Sequence, residues 1–516
     1  MRRALAIAAV AGLGVLLGLG GVLSLRLLRP GPSTHVGTSA AKHAKQVAPR
    51  VETVDCWFAI PAGRAARCGH LIAPENWAVP DDRAVTIPFV VFSGGASVAP
   101  DPVIFINGGP GEPSGIAAGE VDRWWGLLAS ASWAEGRDVV VFDERGVGLS
   151  QPALACPEMI EIGDRLFSQP ITPQAANAAW AAAAGRCHAR LAGAGVGLDH
   201  YNTDAIVHDL AALIDGLGYR SWNLLAVSYG TRVALSFLRE HRDGTRSVVL
   251  DSVYPPSVKA YEDAAASAAH AMAGLVDSCA ANPACKAANP HLAKSLQAMI
   301  RRAATQALVV PLHRAGQPDK QISLDDAKLV EVLFYGFYRS EDLRILPNAI
   351  TALEQGNAEP LAPFVEAALD NYQSTSTSHG LYLSVICHDE YPFDDPQVVE
   401  RSATASGDLR QFALSDLGLA ACPAWPAGTA PKGERLPVES DVPVVMLSGD
   451  LDPVTPVGWA KTALATLSRG SLFHFPGVGH GVLAANTCAD RIARRFFAKP
   501  QAHPFDDCLL ALTGSQ

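Results

Sequence analysis

The sequence predicts a mainly parallel α/β sheet flanked by helices and interrupted by an inserted, mostly helical cap. Three observations lead there. Short, apolar, β-branched runs recur at residues 85–92, 102–106, 138–142, 222–227, 247–250, 442–447 and 471–475, as expected of strands buried on both faces. Helical stretches lie between them, as at 204–217, where Ile206, Leu210, Leu213, Ile214 and Leu217 recur at helical spacing behind an Asn202/Thr203 cap. Strand and helix in alternation give a parallel sheet. The interval between Leu250 and Val442 breaks this rhythm: it is about 190 residues long and reads as helices at 264–276, 294–306, 325–337, 341–355 and 361–372. Such an insertion belongs over the carboxyl edge of the sheet, where open α/β sheets place their ligand sites. The Ala-rich stretch 175–184 reads as plain helix.

The rest of the chain frames this core. Its 516 residues, 49% hydrophobic and 18% charged, exclude a solvated disordered polymer and suffice for a large core. The net charge of −10, with no long basic run beyond the N-terminus, disfavours nucleic acid as a partner. Arg2 and Arg3 precede an apolar run at residues 4–25, the pattern of export. Its 22 residues approach the roughly 20 needed to span a bilayer. Residues 1–28 therefore read as a signal anchor, with a cleaved signal peptide as the alternative, and 4–25 would tether the chain to a membrane. Pro, Gly, Ser and Lys without apolar periodicity mark 29–50 as a linker. The expected organisation is a core of 51–252, a cap of 253–440 and a returning core of 441–516. The ten cysteines include no C-x-x-C pair, so no bound metal is expected, and no cofactor is expected either. In an exported chain they read as disulfides between sequence neighbours: Cys56 with Cys68, Cys156 with Cys187, Cys279 with Cys285, Cys387 with Cys422, and Cys488 with Cys508. The oligomeric state is not legible.

The chemistry is carried by loops after strands. In Trp222-Asn-Leu-Leu-Ala-Val-Ser228-Tyr229-Gly230 an apolar strand runs into a serine and then a helix-forming stretch. This is the pattern of a nucleophile elbow, in which a strained strand-to-helix turn projects the hydroxyl clear of the sheet. Ala226 replaces the usual first glycine. Upstream, a strand enters Asn107-Gly108-Gly109-Pro110-Gly111, where glycine lets the backbone approach a reacting carbonyl. Pro110 has no N–H, so Gly109 and Tyr229 are the expected oxyanion donors. A serine needs a base, and the base needs a carboxylate to hold its tautomer. His480 lies in a glycine loop after one late strand. Asp450 and Asp452 follow another, and Asp452, held extended by Pro453, is preferred as the acid. His474, inside the strand pattern, reads as a satisfied structural histidine. Asp143 and Arg145 read as an ion pair bracing the loop that follows 138–142.

Together, NGGPG, DERGVGLS, VSYGT, GDLDPVTP and GVGHG resemble the α/β-hydrolases of the proline iminopeptidase and tripeptidyl aminopeptidase group, over most of residues 51–516. The tail with Cys387, Cys422, Trp425, Cys488 and Cys508 is similar to that of the secreted tripeptidyl aminopeptidase-like members. The resemblance implies an exported serine hydrolase that releases short peptides or residues from free N-termini. Asn107 departs from the histidine that often opens the glycine motif, and Glu112 stands where a small residue is common. A free N-terminus is a cation and calls for fixed acids; Glu112, Asp389 and Glu390 are the candidates. An esterase or lipase, and a catalytically silent binding protein on the same fold, remain the other readings.

Overall fold

The structure is a computed structural model and describes residues 47–80, 83–95, 98–169, 171–314, 316, 318–415, 417–500 and 508. The apolar run 4–25 and most of the linker lie outside the described residues. No helix among the described residues is long and apolar enough to cross a membrane.

The strands are β1 (Arg50–Val54), β2 (Ala66–Pro74), β3 (Ala84–Phe92), β4 (Val103–Ile106), β5 (Val139–Phe142), β6 (Trp222–Val227), β7 (Thr245–Asp251), β8 (Leu308–Leu312), β9 (Lys320–Leu324), β10 (Val444–Gly449) and β11 (Gly470–Phe475). Nine of them form one sheet in the order β1-β2-β3-β5-β4-β6-β7-β10-β11. From β5 to β11 every pairing is parallel, while β1, β2 and β3 add an antiparallel edge. All seven expected runs are strands of this sheet. The pattern missed β1, which begins at the end of the expected linker, and β2, whose Cys68, Gly69 and His70 interrupt any apolar run. Gly69 is required there, because a Cβ would fall 2.4 Å from Cζ of Phe89 on β3.

Side chains of the parallel strands alternate between two cores. Leu224 and Ala226 of β6 pack with the helices Thr203–Leu217 and Tyr229–Glu240, whereas Leu225 faces Trp124, Phe496 and Phe497 on the other side. The parallel strands are therefore sandwiched, which explains why they are largely apolar.

Between β7 and β10 the chain builds a third core of its own, from residues such as Leu275, Ile300, Val310, Leu324, Leu333 and Leu346. The helices Ala260–Ala281, Leu292–Thr305, Asp326–Tyr335, Ser340–Glu354 and Ala362–Gln373 dominate it. The antiparallel pair β8–β9 was not expected in this helical interval. The disulfides are the five neighbour pairs anticipated from the sequence, Cys56–Cys68, Cys156–Cys187, Cys279–Cys285, Cys387–Cys422 and Cys488–Cys508.

Candidate active site

Ser228 sits where β6 turns into the helix Tyr229–Glu240, with φ 55° and ψ −125°. A non-glycine residue in this region is strained by about 1–3 kcal/mol, and its surroundings hold it there. Its N–H donates to the Asp251 carbonyl at 2.9 Å, and its carbonyl accepts from the Thr231 N–H at 2.9 Å and hydroxyl at 2.6 Å. The turn is also pressed against β4: a Cβ on Gly230 would lie 2.5 Å from the Ile106 oxygen and 2.3 Å from that of Asn107. Only glycine fits. The first position of the motif is less demanding, and the methyl of Ala226 is accommodated fully buried.

The glycine loop lies directly over the serine. A Cβ on Gly108 would stand 3.1 Å from Cβ of Ser228, and Gly109 has φ +120°. Asn107 accounts for its departure from the usual histidine: its side-chain amide donates to the carbonyls of Glu112 (3.1 Å) and Pro113 (3.0 Å), closing the loop on itself. Tyr229 begins the helix, so its N–H has no intrahelical acceptor. Its hydroxyl is engaged with Thr203 Oγ1 at 2.9 Å.

His480 and Asp452 meet as expected, with His480 Nδ1 2.9 Å from Asp452 Oδ2. Asp452 also accepts from the N–H groups of Val454 (2.8 Å) and Thr455 (2.9 Å) and from the Thr455 hydroxyl (2.7 Å). Burial alone would raise its pKa, but the charge of His480 and these donors outweigh burial and hold it below the ordinary value. Asp450 is set apart: its carboxylate accepts from the Gly477 N–H at 2.6 Å and braces the turn. Ser228 Oγ and His480 are not hydrogen-bonded to each other, yet both border one cavity of about 970 Å³. In hydrolases without substrate this contact is often long and tightens in the complex.

Two features of the histidine loop were missed in the sequence. From the core, Asp251 accepts from the N–H groups of Val482 and Leu483, both at 2.8 Å, and Ser252 Oγ from that of Gly481 at 2.9 Å. From the inserted segment, the Phe337 carbonyl accepts the His480 N–H at 2.9 Å, and the Tyr338 ring stands 5.2 Å from the imidazole. Gly479 permits this docking, since a Cβ there would fall 1.9 Å from the Phe337 oxygen. An acid ending an apolar strand (VVLD) and a second glycine in GVGHG were the available signals. Burial disfavours a charged His480, but Asp452 and then Asp251 prevail, so its pKa lies above the ordinary 6.5. Burial pushes Asp251 itself up to about 6.

Of the three acids expected to meet a substrate amine, only Glu112 borders the cavity. It is half-buried and accepts from the Thr377 hydroxyl at 2.8 Å; burial raises its pKa. Asp389 and Glu390 are corrected to internal roles, because each is already neutralised. Asp389 binds His388 Nδ1 at 2.6 Å and the Thr203 N–H at 3.2 Å. Glu390 is held between Arg232 on the nucleophile helix and Arg435, 2.7 Å away. Glu331, unremarked in the sequence, borders the cavity instead, with the Tyr372 hydroxyl 3.3 Å away. Arg145 pairs with Asp209 (2.6 Å) and not with Asp143, which accepts from the N–H groups of Ser114 and Leu149. His474 is exposed on β11, not a buried structural residue.

Gly479→Ala should displace His480 from its acid and lower turnover by about 10²-fold, the cost of a misplacement near 1 Å; steady-state kinetics of the folded variant check this. The acid limb of the kcat/KM profile should fall above pH 6.5, because the raised pKa of His480 removes the free base earlier as pH drops. Asp251→Asn, by removing a charge that favours the imidazolium, should move that limb to lower pH.

A family model described as the alpha/beta hydrolase fold matches residues 101–486. The serine protease Hip1 of Mycobacterium tuberculosis is 27% identical over 462 residues, which is 84% of either chain. The tripeptidyl aminopeptidase of Streptomyces lividans is 27% identical over 214 residues, 40% of this chain and 39% of its own. That of Streptomyces coelicolor is 28% identical over 216 residues, 40% and 38% of the two chains. The strand order, the elbow and these matches agree, and the chain belongs to the alpha/beta hydrolase fold family, as a serine hydrolase akin to its peptidases.

Proposed function

We propose that the protein is an exported aminopeptidase that works through Ser228, His480 and Asp452. The observation that carries this reading is the strained Ser228 turn sharing one cavity with the hydrogen-bonded His480–Asp452 pair. His480 takes the Ser228 proton as the hydroxyl attacks the scissile carbonyl, and Asp452 stabilises the imidazolium that results. The N–H groups of Gly109 and Tyr229 receive the oxyanion. His480 then protonates the leaving amine, and water, deprotonated by the same histidine, releases the acyl group from Ser228. The five disulfides fit an oxidising, extracytoplasmic location.

Preference for a free N-terminus rests on the charge of the cavity wall. Among the described residues four carboxylates border it, Glu112, Asp325, Glu331 and Asp370, the last paired with Arg314 at 2.7 Å, against one ammonium, Lys328, whose Nζ is turned to the Gln169 carbonyl at 2.7 Å. A cationic group entering the cavity meets a net negative field. Glu112, five residues beyond Asn107 in the oxyanion loop, is the acid nearest in sequence to the reacting centre.

Ser228→Ala should abolish both hydrolysis and labelling by a fluorophosphonate while the fold persists. Asp452→Asn should cost about 10⁴-fold in kcat and Asp450→Asn little; the reverse ranking would exchange their roles. Glu112→Gln should lower kcat/KM on peptides with a free amine by about 2–4 kcal/mol, while turnover of an uncharged acyl ester changes little. Equal losses on both substrates would leave Glu112 a loop-bracing residue and favour an esterase.

A further inference from the structure

A second cluster of chemically active side chains lies at the opposite end of the nucleophile helix. His208 comes from the helix Thr203–Leu217, and Glu240 and His241 from the end of Tyr229–Glu240 and the residue after it. One imidazole nitrogen from each histidine and one carboxylate oxygen of Glu240 lie within 4.8 Å of one another. Asp204, one turn before His208 on the same helix, brings Oδ2 to 3.7 Å from His208 Nε2. The expectation that the chain binds no metal rested on the cysteine pattern, which carries no information about such a set.

From these residues we infer a binding site for a divalent transition-metal ion of the zinc class. Two imidazoles with one or two carboxylates is a donor set that zinc takes, at bond lengths near 2.0–2.2 Å. Four donors around such an ion stand about 3.3 Å apart, so the observed spacings need only side-chain adjustment, and Glu240 is exposed and able to make it.

Two further observations favour an ion. His241 Nε2 is buried and has no hydrogen-bond partner, a state that costs about 1–3 kcal/mol and that coordination would relieve. His241 closes the C-terminal end of its helix, where the carbonyl dipoles favour a cation. The rings are also oriented: His208 packs 5.6 Å from Trp77, and His241 5.4 Å from Phe237. A bound ion would staple the helix that carries Ser228 to the helix whose first residue, Thr203, holds the Tyr229 hydroxyl. It would act on stability, taking no part in hydrolysis.

The test uses the full chain, stripped with a chelator and dialysed. Titration calorimetry with ZnCl₂ should give one saturable site per chain, and zinc should raise Tm by about 2 °C or more, whereas Mg²⁺ should not. His208→Gln and Glu240→Gln, both away from the core, should each weaken zinc at least about 10-fold while their circular dichroism stays that of the parent. Absence of saturable zinc binding would overturn the proposal. Binding of unchanged affinity in both variants would overturn it equally, because the ion would then sit elsewhere, as on His480.

Discussion

The close approach of the Ser228 turn to the end of β4 is the constraint from which the site is built. With Gly230 seated against the carbonyls of Ile106 and Asn107, the nucleophile helix starts directly beside the glycine loop. The Ser228 side chain and the backbone of Gly108 then stand side by side, a Cβ on Gly108 falling 3.1 Å from Cβ of Ser228. The strain at Ser228 is local and modest, and the sheet on one side and the helix on the other hold it: Asp251 takes the serine N–H and Thr231 its carbonyl. Preorganisation of this kind lets oxyanion stabilisation act without reorganisation in the transition state.

His480 is positioned differently, by a clamp with two jaws. Asp251 and Ser252 at the end of β7 hold the amides of 481–483, and the inserted segment holds the amide of 480 through Phe337. Leu451, next to the acid, is buried in the core of the inserted segment. The loops of Asp452 and His480 are therefore both docked on the inserted segment that borders the cavity, so its position and the alignment of the His480–Asp452 pair are linked. The same residues serve electrostatics, since Asp251 adds to the field that keeps His480 basic.

Buried charges secure the rest of the framework. Arg145 is enclosed by Asp209 and the carbonyls of Glu75 and His200, and Arg232 is enclosed with Glu390. Removing one partner from such a pair typically costs about 3–5 kcal/mol through the charge left behind. That explains why Asp389 and Glu390, which look like free acids in the sequence, are unavailable to a ligand.

The strands of the parallel sheet, the meeting of His480 with Asp452 and the pairing of the cysteines were all legible in the sequence. Each depends on local information: apolar periodicity, a turn that demands glycine or proline, or short separation along the chain. What only the tertiary structure decided depends on residues far apart. Nothing in the neighbourhood of Arg145 names Asp209 as its partner, nor does anything near Gly479 point to the Phe337 carbonyl. That Glu112 and Glu331 border the cavity while Asp389 and Glu390 are held by His388, Arg232 and Arg435 is decided by folding. The strand β2 was invisible because its place at the antiparallel edge relaxes the demand for an apolar pattern. Local backbone preferences are written residue by residue, whereas the partner that neutralises a charge or fills a gap is chosen by packing across the whole fold.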